Sequence, residues 1–192
     1  DLKGANGVRV LGPGAGEGKP ESVVTISDAK AVNITTSEST VSADAGDGII
    51  VNNNGKVEVK EVGDVTVSAD RRGIHVKNGG SVSVDADGTI SVTSVGNGDA
   101  YAALYAENSD TTKLDNDISL KATKDVTLEG YNGIKTTGPN THGESTAGGK
   151  VTVSGAGDKH EELEGLTRDG IYIKNGDKFD PESGIKDVQI TA

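Results

Sequence analysis

Gly48-Ile49-Ile50-Val51-Asn52-Asn53 returns as Gly73-Ile74-His75-Val76-Lys77-Asn78 and as Gly170-Ile171-Tyr172-Ile173-Lys174-Asn175, with Ala103-Leu104-Tyr105-Ala106-Glu107-Asn108 as a variant. Each phrase is a small residue, an aliphatic residue, a free position, a second apolar residue and, two positions later, an Asn. Self-similarity of this kind is the sequence signature of a stacked repeat architecture.

Taking the first aliphatic residue as an anchor, the anchors are Val8, Ile49, Ile74, Leu104, Ile134 and Ile171. Two further alternating segments follow most of them: Lys56–Val59 and Asp64–Val67 after Ile49, Ser81–Val84 and Thr89–Val92 after Ile74, and Asp117–Leu120 and Asp125–Leu128 after Leu104. Strict apolar–polar alternation over four to eight residues is the pattern of a half-buried strand, and the Gly, Asn and Asp between segments are turn formers. The apolar positions 49, 57, 65, 74, 82 and 90 step by 8 or 9 residues. The spacing predicts an all-β chain, a parallel β-helix with three strands per coil and about six coils. At the ladder spacing of roughly 4.8 Å the rod is about 25–30 Å long. Residues 1–192 read as a single β-helix segment, and a start at Asp1 without Met reads as a piece of something longer. Only Lys159 to Leu166 has the spacing of a short helical turn.

Composition agrees. Hydrophobic residues make up 32% of the 192, aromatics 3%, and Met and Trp are absent, which is thin for a compact core but enough for narrow rungs of Val, Ile, Leu and Ala. Gly is abundant at 28 and Pro scarce at 4, as many tight turns require. A formal charge of −11 argues against nucleic acid and anionic membrane surfaces as partners. The absence of Cys removes disulfides and thiolate sites, and no stretch approaches the roughly 20 apolar residues of a membrane helix.

Position anchor plus four holds Asn53, Asn78, Asn108 and Asn175, and stacked amides predict a structural Asn ladder. Val8 and Ile134 carry Gly12-Pro13 and Gly138-Pro139 there instead, and the long loops 11–22 and 138–149 are expected to follow, with Lys150–Val153 as the next strand. An extra strand-like Thr40–Ala43, a charged Lys159–Glu164 and an insertion over Ala100–Ala106 depart from the count.

Alternation sorts the outward residues into rows. The second sheet's row reads Thr25, Glu58, Ser83, Ser119, Thr152 and Gln189, and the third sheet's Asn33, Thr66, Ser91 and Thr127, both plain solvated faces. The first sheet's row is Arg9, Ile50, His75, Tyr105, Lys135 and Tyr172. Aromatic and cationic side chains favour recognition, so Arg9, His75, Tyr105, Lys135 and Tyr172 are the candidate ligand-binding residues, with large side chains shielding a sheet as the competing reading.

No catalytic set emerges. Gly-x-Ser-x-Gly is absent, and Gly12–Gly18 runs into Lys19-Pro20 rather than a phosphate loop's ending. Asp85-Ala86-Asp87-Gly88 lacks the remaining spacing of a calcium loop and reads as turn chemistry. His142, Glu144, Asp158 and His160 have no zinc spacing. No metal or cofactor is expected.

Asp117–Leu128 (DISLKATKDVTL) and Gly63–Asp70 (GDVTVSAD) resemble the repeats of autotransporter passenger domains and filamentous-haemagglutinin-type adhesins of bacteria, a likeness of pattern from about Val8 to Ile190. The resemblance implies a right-handed helix displayed on the bacterial cell surface, extracellular, acting as an adhesin or structural stalk toward a host or bacterial surface ligand, glycan or protein. No enzyme motif of such passengers matches here. The alternative is a polysaccharide-active β-helix enzyme of lyase or glycosidase type, which needs clustered outward carboxylates where the rows supply only Glu58. An inert spacer with no ligand is the third reading.

Overall fold

The structure is a computed structural model. It describes residues 1–13, 21–37, 45–96, 98, 100–109, 115–138, 141–155, 171–174 and 188–191. All regular structure among them is strand: β1 (Leu2–Gly4), β2 (Val8–Leu11), β3 (Ser22–Thr36), β4 (Ile49–Asn52), β5 (Gly55–Ala69), β6 (Ile74–Lys77), β7 (Ser81–Ala86), β8 (Ile90–Ser94), β9 (Ala102–Glu107), β10 (Asn116–Ala122), β11 (Val126–Glu129), β12 (Asn132–Thr137), β13 (Thr141–Ala147), β14 (Val151–Ser154), β15 (Ile171–Lys174) and β16 (Val188–Thr191).

Every strand pairing among the described residues is parallel. One sheet runs β2-β4-β6-β9-β12-β15, and its register aligns the anchors Val8, Ile49, Ile74, Leu104, Ile134 and Ile171 in one column. The second, ten-stranded sheet holds the other segments, with β5 bonded to β7 over its first half and to β8 over its second. This is the stacked, all-parallel arrangement of a β-solenoid.

The core follows from alternation. Val57, Val82 and Ile118 share one column, Val59, Val84 and Leu120 the next, and Val67, Val92 and Leu128 another, all buried. Each such fully buried aliphatic contributes about 1.5–3 kcal/mol of apolar transfer, offset by the entropy of ordering its rung. Single rungs are too thin to fold alone, so stacking and folding are one event.

Two features differ from the sequence reading. The paired segments 56–59 and 64–67 are halves of one bent 15-residue strand, β5, as are the two halves of β3. The bends carry left-handed residues, Asp28 (φ 57°) and Glu61 (φ 54°), so the ladder turns a corner without stopping, and Ala29 still pairs with Val62. Second, the loop expected over 138–149 is largely strand β13, bonded to β10 from Asn116↔Thr141 to Ala122↔Ala147. Its described buried side chains are Thr141, Ser145 and Ala147, small residues that carry no aliphatic signal. Consequently Lys150–Val153 is not the second segment of its layer: β14 pairs with β11, and Thr152 stands beside Thr127, leaving Glu144 between Ser119 and Gln189.

Most of loop 11–22, the segment Thr40–Ala43, the span Lys159–Leu166, and Asp158, His160 and Asn175 lie outside the described residues.

Candidate functional site

The register places Arg9, Ile50, His75, Tyr105, Lys135 and Tyr172 in a single column across β2, β4, β6, β9, β12 and β15. Neighbours in this column are about 4.8 Å apart by the ladder spacing. Arg9 is exposed. Ile50, His75, Tyr105 and Lys135 are buried, although none belongs to the central apolar cluster. The middle of the row therefore faces away from the core yet is no open surface, and its polar groups find partners within the fold.

Those partners are Asp47, Arg72 and Glu107. Asp47 and Arg72 both stand two residues before an anchor, and Glu107 three after one. Between Arg72 and its anchor lies Gly73, where a Cβ would meet Val92 Cγ1 at 2.2 Å and the Ala103 carbonyl oxygen at 2.5 Å. Gly48 is alike, with Val67 Cγ1 at 2.3 Å and the Gly73 carbonyl oxygen at 2.6 Å. The glycine is thus turned inward against the neighbouring sheet, which sends the residue before it to the outer side.

There the Arg72 Nε donates to Asp47 Oδ1 at 2.8 Å, with both side chains buried. His75 Nδ1 lies 3.0 Å from Asp47 Oδ2, and His75 Nε2 lies 3.0 Å from Glu107 Oε1. The Asp47 and Glu107 carboxylates thus bracket the imidazole and fix its orientation. Arg72 Nη1 also approaches the same Nε2, at 3.5 Å. The His75 ring stacks on Tyr105 with centroids 5.2 Å apart and planes 9° from parallel. Arg72 and Lys135 place their charges 5.8 and 5.7 Å from the Tyr105 ring centroid, within cation–π range.

The hydrogen bond from His75 holds the Glu107 carboxyl down at about 2, against the opposing effect of burial. Burial raises the Tyr105 hydroxyl to about 12, partly countered by its contact with Thr137 Oγ1 at 3.5 Å. Chemically the cluster is a fixed polar layer. Both ring nitrogens of His75 face carboxylates, so the ring serves as a cross-link between neighbouring layers. Among the described residues no group of three or more His, Cys, Asp and Glu is arranged to hold a metal ion.

The Asn positions act at turns. Asn53 and Asn78 adopt φ of 56° and 51°. Asn78 Nδ2 donates to Asn52 Oδ1 at 3.2 Å, and Ser109 Oγ donates to Asn78 Oδ1 at 3.4 Å. Asn108 is buried, and its backbone N–H donates to the Thr137 carbonyl at 2.9 Å. Asn116, not singled out by the repeat, accepts from the backbone N–H groups of Gly79 and Gly80 and donates to the Glu107 carbonyl at 2.6 Å. It ties the turn after β6 to the end of β9.

Asp47, Arg72 and Glu107 are the site residues that reading the phrase alone misses. The available signal was the small residue before each anchor, which reverses the alternation at position minus two. Comparison with protein-family models, with curated proteins and with solved structures returns no match.

Proposed function

We propose that this chain is a segment of an extracellular bacterial surface protein, an adhesin or structural stalk without catalytic activity, built as a right-handed parallel β-helix with three strands per turn. Support for three strands per turn comes from the bent β3 and β5, each spanning two faces while the β2–β15 sheet supplies the third. Handedness rests on the likeness to surface-protein repeats.

The observation that carries the functional reading is the fate of the first-sheet column. Its buried middle members, His75, Tyr105 and Lys135, pack on one another and on Asp47, Arg72 and Glu107, linking successive layers, and both His75 ring nitrogens face carboxylates. That suits a stiff spacer. In this reading the exposed Arg9, together with Tyr172 at the far end of the column, meets the glycan or protein ligand, while His75, Tyr105 and Lys135 stiffen the column between them.

The test is a glycan-array and cell-binding comparison of the wild type with an Arg9→Ala/Tyr172→Ala variant. Reduced binding by the variant is the expected result. Equal binding removes the column from recognition, and no binding by either protein leaves the stalk role alone. Cleavage of polyuronides or other polysaccharides by the wild type would overturn the non-catalytic reading.

A further inference from the structure

An Asn followed by Gly readily loses its side-chain amide, because a glycine without Cβ lets its backbone nitrogen approach the Asn carboxamide. The chain holds six such pairs, beginning at Asn6, Asn54, Asn78, Asn97, Asn132 and Asn175. In the reaction the Gly nitrogen gives its proton to a solvent base and bonds to the Asn Cγ. The Cγ–Nδ2 bond breaks and Nδ2 leaves as ammonia. Water then opens the succinimide at either carbonyl carbon, giving aspartate or isoaspartate. No oxidant or reductant takes part. What decides the rate in a fold is whether the Gly nitrogen and the Asn Cγ can meet.

At Asn78-Gly79, in the turn after β6, both atoms are held. The Gly79 N–H donates to Asn116 Oδ1 at 2.7 Å, and the Gly80 N–H approaches the same oxygen at 3.2 Å. Asn116 is buried, and its Nδ2 donates to the Glu107 carbonyl at 2.6 Å, which orients its amide with Oδ1 toward the two glycines. The Asn78 carboxamide is tied elsewhere. Its Nδ2 donates to Asn52 Oδ1 in the layer before, and its Oδ1 accepts from Ser109 Oγ in the layer after. Nucleophile and electrophile are thus fixed by different neighbours. Asn78 itself is half-buried, within reach of water. At Asn6-Gly7 the Gly N–H goes to the Asp47 backbone carbonyl at 3.3 Å, an acceptor that no substitution removes. At Asn78 the acceptor is one side chain on β10.

We propose that Asn78-Gly79 is a latent site of spontaneous deamidation, held shut by Asn116 and released when β10 lifts from the turn after β6. Lifting breaks the bond from Gly79 and frees its nitrogen to turn toward the Asn78 Cγ. The product is permanent. A carboxylate at position 78 cannot donate to Asn52 Oδ1 as the amide does, and isoaspartate adds a methylene to the main chain inside a tight turn. The modification therefore loosens the contact between the turns after β4 and β6, and it marks covalently that two layers have parted. Asn116 acts here as a positioning residue. The inference stands independently of the surface-protein reading.

The test follows the amide-to-acid exchange at Asn78 by peptide mapping and mass spectrometry, with isoaspartate resolved from aspartate, during incubation in mildly alkaline buffer. The folded wild type is compared with Asn116→Ala, with Asn116→Asp and with the wild type in urea. Asn116→Asp keeps an acceptor for the Gly79 N–H but loses the donor to the Glu107 carbonyl, so it is weakened without being unguarded. The folded wild type should convert at least about tenfold more slowly than in urea, because a closed turn reacts only in proportion to its open fraction. Asn116→Ala should approach the urea rate, and Asn116→Asp should stay nearer the wild type.

A second measurement needs no substitution, and it decides the matter if Asn116→Ala loses the sheet signature in circular dichroism. In the wild type under sub-denaturing urea, hydrogen exchange at the Gly79 amide and deamidation at Asn78 should accelerate together, since one opening exposes both. A folded wild type that converts as fast as the protein in urea overturns the proposal. So does a folded Asn116→Ala that converts no faster than the wild type, or an Asn116→Asp that converts as fast as a folded Asn116→Ala. Gly79 exchange that rises while Asn78 conversion stays constant overturns it as well.

Discussion

Removing the Asp47 carboxylate takes away the acceptor that the Arg72 guanidinium and the His75 ring share, with all three side chains buried. Breaking one member of a buried ionic set typically costs about 3–5 kcal/mol, more than the set contributes over an apolar replacement. Asp47→Ala should therefore lower the unfolding free energy from urea titration by that order, whereas Glu58→Ala, whose partners Lys56 and Lys60 are solvated, should leave it nearly unchanged. Glu107 gives the matching pH dependence. Its carboxyl sits at about 2 in the fold against an ordinary 4.5, chiefly through the bond from His75. A depressed folded value means the contribution is complete above about 4.5 and is lost as the pH falls through that value toward 2. Glu107→Gln should flatten the wild-type decline of thermal midpoint in that window; an identical decline in the variant would assign the acid sensitivity elsewhere.

β13 is the element whose chemistry is least like its neighbours. It continues columns built of Val, Ile and Leu with small residues, and the buried Ser145 Oγ has no hydrogen-bond partner. A buried hydroxyl without a partner carries an uncompensated desolvation cost of about 1–3 kcal/mol. Ser145→Ala should accordingly raise the unfolding free energy by about 1 kcal/mol; a loss of stability would mean that the hydroxyl is satisfied in solution. The same chemistry explains why this strand was illegible. Strands such as β7 and β8 announce themselves because Val82, Val84, Ile90 and Val92 alternate with polar residues. Thr141, Ser145 and Ala147 bury the same face without that contrast, so the pattern reads as loop. The bend within β5 was hidden for another reason: Glu61 adopts a conformation that Gly would advertise.

At the scale of the whole molecule the repeat made the stacking direction and the anchor register readable, because a periodic core needs no knowledge of distant residues. The polar cluster was not readable in the same way. Asp47 and His75 are 28 residues apart and His75 and Glu107 are 32, and they meet only once the layers are superposed and the inward glycines have turned their neighbours out. Ile49↔Ile74, Val57↔Val82 and Val65↔Ile90 share one offset of 25 residues, so deleting residues 49–73 removes one layer and lets β2 and β3 pair with β6, β7 and β8. That variant should keep the sheet signature in circular dichroism and unfold cooperatively at a lower temperature; loss of the signature would show that the layers are not interchangeable. The Asp47–His75–Glu107 bridge has one more consequence, and it is mechanical. Traction applied at the two ends of such a stack pulls across the rungs and unzips them from the ends inward, each rung failing at low load. A bridge anchored in the turn before β4, in β6 and in β9 fastens three rungs together, so in an optical trap the middle of the rod should give way as one larger step after the smaller ones. In Asp47→Ala that step should divide; a wild-type trace of equal steps would show that the bridge bears no tension.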